Sequence, residues 1–197
     1  MNKFRIVFLV AMLFFSKAYA QDLTITDHTK LFYKFTEFDK SVTYSFSFES
    51  ITPKISYECG NSNKEENNGT GIITEDAINN AINLFFFYSD SGIVTFYDRT
   101  PSFIVSKKIY NELKTTGKSR IRLQDNENTN TLDFIRTEDF EIALNKDILK
   151  KEIKNVKVLH ARFSGDSGYE IWILDNPEFP IVIKLHAQKD YELKEVK

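Results

Sequence analysis

From residue 42 onward the chain alternates. Val42, Tyr44, Phe46 and Phe48 are apolar or aromatic, whereas Thr43, Ser45, Ser47 and Glu49 are polar. A period of two predicts a strand with one buried and one wet face. A strand over 31–38 precedes it, and a shorter one over 54–58 follows Pro53. The stretch CGNSNKEENNGTG at 59–71 is rich in Gly, Asn and charge and predicts a loop, with Cys59 in it. The period then changes to 3.6. Ala77, Ile78, Ala81, Ile82 and Phe85 share a face behind Thr74-Glu75-Asp76, which predicts a helix near 75–88 with Thr74 as its cap. A strand at 93–97 comes next. A second helix at 106–116 turns Ile109, Tyr110 and Leu113 inward and stops at Gly117.

Beyond Lys118 only strand patterns remain, near 118–124, 131–137, 139–145, 154–163, 169–175, 180–187 and 190–196, separated by turn chemistry such as DNPE at 175–178. The pattern is α+β: a predominantly antiparallel sheet with two mid-chain helices, and no linker divides it. A single domain over 21–197 is expected.

The first twenty residues stand apart. Lys3 and Arg5 precede an unbroken apolar run from Ile6 to Phe15, and Ala18-Tyr19-Ala20 offers an A-x-A cleavage site. This is the pattern of a secretory signal peptide over 1–20, shorter than the ~20 apolar residues a spanning helix needs. Gln21 rather than Cys follows the cut, so a soluble exported chain with no transmembrane segment is expected. Cleavage removes Lys3, Arg5 and Lys17 and no acid, which takes the formal charge from −2 to −5. An acidic chain without a basic cluster argues against nucleic acid, whose binding rests on phosphate neutralisation. Cys59 is the one cysteine, so no intrachain disulfide forms.

Gly165-Asp166-Ser167-Gly168-Tyr169-Glu170 contains the letters of two protease signatures. A nucleophilic Ser167 needs a His base and an orienting Asp, and neither His28 nor His160 stands in such a context. A catalytic Asp166 needs an apolar strand to hold it, yet Ser164 and Gly165 precede it. A hairpin is the better reading. With Asp166, Ser167 and a left-handed Gly168 as a three-residue loop, Phe163 faces Ile171, Ala161 faces Ile173, Arg162 faces Trp172 and His160 faces Leu174. In that register His160 and His186 lie roughly 13–20 Å apart along the strands, at ~3.3 Å per residue. No metal site is expected, and no cofactor motif (P-loop, G-x-G-x-x-G, C-x-x-C or H-E-x-x-H) occurs.

The tail YEIWILDNPEFPIVIKLHAQKDYELKEVK places Trp172, Asp175 and Pro180 in successive hairpins. It is similar to the closing hairpins of periplasmic lipoprotein-carrier-like half-barrels, and the whole chain resembles uncharacterised exported proteins of Bacteroidota. The carrier resemblance implies an incomplete barrel around an apolar cavity for acyl chains, with Tyr44, Phe46 and Phe48 on its wall and Trp172 as a further candidate. Packing under a helix is the competing role for that aromatic row. The leading functional expectation is a non-enzymatic binding or interaction domain, periplasmic or extracellular, whose partner is an envelope protein or an apolar small molecule. A carrier of an apolar or lipid ligand comes second and a hydrolase third.

Overall fold

Alternation at 42–48 becomes the strand it predicts, and its period decides which rings enter the core. The computed structural model describes residues 23–37, 40–61, 64–86, 92–124, 129–147, 150–165, 168–187 and 189–197. The leader expected at 1–20 lies outside them. Strand β1 (Lys30–Glu37) pairs antiparallel with β2 (Lys40–Ser50), Tyr33 opposite Tyr44. Leu31, Tyr33 and Phe35 of β1 and Tyr44, Phe46 and Phe48 of β2 are all buried.

The loop expected at 59–71 is instead a hairpin. β3 (Ile55–Asn61) buries Ile55, Tyr57 and Cys59 and pairs antiparallel with β4 (Lys64–Ile73). Cys59 is therefore a core residue, not a loop residue. Glycine reads as a breaker along the chain, but here it makes room: Tyr57 lies opposite Gly71, and its ring covers the place where a side chain would stand. Helix α1 (Glu75–Asn80) starts where expected, Thr74 Oγ1 accepting from Ala77 N–H at 3.2 Å. It stops eight residues short of the expected end. Ala81 is extended, and β5 (Asn83–Phe85) pairs in parallel with β7 (Arg99–Pro101) and β8 (Lys118–Leu123). Two asparagines at the end of α1 add little helix propensity, and sheet hydrogen bonds take over the apolar run.

β6 (Gly92–Phe96) lies parallel to β4. Helix α2 (Lys107–Thr116) matches its expected span, with Ser106 Oγ accepting from Ile109 N–H and Gly117 closing it at φ 74°. The strands expected at 131–137 and 139–145 are one, β9 (Asn130–Asp147). Against β10 (Lys150–Ser164), Phe134 faces Ala161 and Arg136 faces His160, so Ile135 is an extra, bulged residue. The chain closes with β11 (Glu170–Leu174), β12 (Val182–His186) and β13 (Asp190–Val196).

Among the described residues the strands form one mixed sheet in the order β6-β4-β3-β2-β1-β13-β12-β11-β10-β9-β8-β5-β7. The end of β13 also runs parallel to β9, Glu195 beside Ala143 and Val196 beside Leu144. Strands β9 to β13 thus curl into a partial ring, a half-barrel-like sheet within an α+β chain. Among the described residues no helix is long and apolar enough to cross a membrane. The segment Phe103–Val105 lies between the 180–182 segment and the aromatic faces of β2 and β3. Val182 N–H donates to Phe103 O at 2.8 Å and Val105 N–H to Pro180 O at 3.1 Å. The Phe103 ring sits 4.6 Å from Phe46, 4.9 Å from Tyr57 and 5.9 Å from Phe48, centroid to centroid.

Candidate functional site

A cleft of about 520 Å³ opens where three short segments and two helices meet. The N-terminal segment supplies Leu23 and Ile25, the turn around the cis Thr52–Pro53 peptide supplies Ile51 and Ile55, and α1 supplies Ile78. Phe179 completes the apolar floor. Each segment is fixed by backbone chemistry. Asp27 Oδ1 accepts from Ile51 N–H at 3.0 Å and ties the N-terminal segment to the turn. Asn176 Oδ1 accepts from the N–H groups of Glu178 and Phe179 at 3.0 and 3.1 Å, a side-chain-capped turn that presents both residues. Polar groups stand on the rim: Glu75 and Asn79 from α1, Lys107 from the start of α2, and Asn176 and Glu178. Lys107 Nζ and Glu178 Oε2 pair across it at 2.6 Å. An apolar floor with a few polar groups at its edge is the usual form of a small-molecule site.

Tyr44, Phe46, Phe48 and Trp172 do not line this cleft. The three β2 rings point into the packed interior: Tyr44 meets Phe35, Phe46 meets Tyr33 and Phe103, and Phe48 meets Phe103 and Phe179. Phe48 packs edge-on against Phe179, one of the floor residues of the cleft. Alternation identified the buried face of β2 but could not show what fills the space before it, because Phe103 lies over fifty residues away in an irregular segment.

Trp172 sits in a row of cross-strand neighbours. The expected register set it against Arg162; the observed one sets it against His160 on one side and Lys184 on the other. Ala161 faces Ile171 and Arg162 faces Glu170, a shift of two residues that keeps every side chain on its expected face. The loop is longer than three residues, since Phe163 N–H donates to Tyr169 O. Gly165 and Gly168 both have positive φ, 96° and 99°; Asp166 and Ser167 lie outside the described residues. The two histidines come nearer than expected, because His186 faces Glu170. They sit about 7 Å apart along the strands, at ~3.3 Å per residue. Among the described residues no group of three or more potential ligands could hold a metal ion.

The indole stacks on the His160 ring at 4.3 Å and 15°, and Lys184 Nζ stands 4.9 Å from its centroid. Its N–H donates to Glu138 Oε1 at 2.5 Å. Trp172 is thus committed to intramolecular contacts on its faces and at its edge. His160 is buried between two carboxylates, Nδ1 3.5 Å from Glu138 and Nε2 3.3 Å from Glu170.

Burial raises the pKa of Glu138, but hydrogen bonds from Arg136 and Trp172 and the charge of His160 outweigh it, and the net shift is downward. Burial likewise raises Glu170, and Arg162 and His160 reverse the sign. A carboxyl held lower when folded than when unfolded stabilises the fold above its unfolded pKa and loses that contribution as pH falls through the folded value. Stability should therefore drop below the ordinary glutamate value of 4.5. Glu138→Gln should flatten this acid limb in urea titrations at pH 3–7; an unchanged slope would show that the carboxylate carries none of it.

Asp133 is also paired. Ser164 Oγ donates to its Oδ2, and Lys118 lies 3.2 Å away; these contacts lower its carboxyl. No family model matches the chain, and no curated protein or solved structure matches it either.

Proposed function

We propose that this chain is an exported, non-enzymatic binding domain of a bacterial envelope, and that the cleft between the N-terminal segment, α1 and the 176–179 turn is its binding site. One observation carries the reading: a concavity of about 520 Å³ with an apolar floor and polar groups at its rim. That volume lies in the range of small-molecule sites, roughly 300–1,000 Å³. The leader-like sequence at 1–20 supports export, and the resemblance to Bacteroidota exported proteins supports an envelope location.

A carrier of an apolar ligand is the second reading. The partial ring β9–β13 supports it, in keeping with the similarity of the tail to half-barrel carriers. The packing of Tyr44, Phe46 and Phe48 directs the ligand to the cleft rather than to the β2 face.

Native mass spectrometry of the mature protein purified from its own envelope tests both. A retained small molecule is expected, and Asn79→Trp, which puts an indole into the cleft from its rim, should reduce its occupancy at least about ten-fold with the melting temperature nearly unchanged. A co-purifying protein in place of a small molecule, or retention unaffected by Asn79→Trp, would remove the cleft as the binding site.

A further inference from the structure

The chemistry of the cleft narrows its ligand, provided the cleft is the binding site. We infer that it takes a single-chain amphiphile with a cationic head, of the class of long-chain amines. The floor is formed by Leu23, Ile25, Ile51, Ile55, Ile78 and Phe179, all of them without hydrogen-bonding side chains. A ligand reaching this floor presents a hydrocarbon.

The rim decides the other end. Its charged side chains are Glu75, Lys107 and Glu178. Lys107 and Glu178 neutralise each other at 2.6 Å, which leaves the rim with the uncompensated sign of Glu75. An anionic head would meet a net negative rim and would have to compete with Glu178 for Lys107. An ammonium head meets Glu75 without breaking that pair, and Asn79 adds a side-chain carbonyl oxygen as an acceptor, while Asn176 Oδ1 stays committed to its turn. Repulsion of the wrong charge contributes as much to such a preference as attraction of the right one.

Isothermal titration calorimetry on the mature chain tests this with three probes of equal chain length, decylamine, decanoate and decyl maltoside, each below its micellar concentration. Decylamine should bind tightest. Lengthening the amine should tighten binding by up to about four-fold per methylene until the floor is covered. The preference for amine over carboxylate should be about two- to five-fold, the scale of a solvent-exposed ion pair, and should shrink with added salt. Glu75→Gln should bring the amine-to-maltoside ratio towards one. Decanoate binding as tightly as decylamine, or a ratio indifferent to Glu75→Gln, would overturn the cationic head while leaving the cleft as a binding site. Failure of all three probes to bind, with the chain folded by circular dichroism, would overturn the cleft as well.

Discussion

Gly71→Ala should be among the most damaging single-methyl additions in this chain. A Cβ built on Gly71 stands 2.1 Å from Tyr57 Cζ and 2.5 Å from Cε1, well inside any tolerated contact. The ring cannot swing clear, because Tyr57 is fully buried and packs edge-on against Phe103 at 4.9 Å and Phe46 at 5.8 Å. Relief requires either the β3–β4 pairing to open or the aromatic cluster to shift. We expect a loss of about 3 kcal/mol, the upper end of ordinary overpacking. For a chain of this size that is a fall in melting temperature of roughly 6–12 °C. Tyr57→Val should recover part of the loss in the Gly71→Ala background, because the clash then has no ring. A double-mutant cycle in urea would read this as a coupling energy. Simple additivity, or a Gly71→Ala variant within about 0.5 kcal/mol of the parent, would show that the ring does not constrain this glycine.

Phe103→Ala should cost at least as much, for the opposite reason. Phe103 is the common neighbour of Phe46, Phe48 and Tyr57, and it is completely buried. Truncation removes the ring from among three buried aromatic neighbours, which limits collapse. Phe→Ala changes in such positions cost about 3–5 kcal/mol. An apolar void of this kind stays dry and takes small apolar guests. The variant should therefore gain melting temperature on addition of benzene or indole, and the parent should not. A loss below about 1 kcal/mol would mean that neighbouring rings close the space.

Both variants probe contacts that no local pattern announces. The alternation of β2 was legible, because a side-chain period of two needs only neighbouring residues. The caps at Thr74 and Gly117 were legible for the same reason: each satisfies backbone groups within three or four residues. The 59–71 segment was not. Glycine and asparagine signal loops when nothing covers them, but Tyr57 across the hairpin converts Gly71 from a breaker into a packing requirement. The early end of α1 has a similar origin. Ile82 and Phe85 continue a helical face, yet the carbonyls of Ile82 and Phe85 accept from Arg122 N–H and Ser102 N–H at 2.8 Å, and those distant partners decide the conformation.

The candidate site was the least legible part. Glu75 read as a helix-start residue, and nothing in the sequence marked Leu23, Ile25 or Lys107 for a common site. Only the fold brings them together with the 51–55 and 176–179 turns. The β10–β11 hairpin shows where the division falls. Sequence by itself determined that Ala161, Phe163, Ile171 and Ile173 share one face, because burial fixes the parity of a strand. It could not determine whether His160 or Arg162 faces Trp172, because a slip of two residues preserves that parity. The tertiary structure settled it, along with the pairing of β1 to β13 and of β13 to β9 and the filling of the β2 face by Phe103. Each joins residues far apart in the chain, where the selecting energy is the packing of whole surfaces.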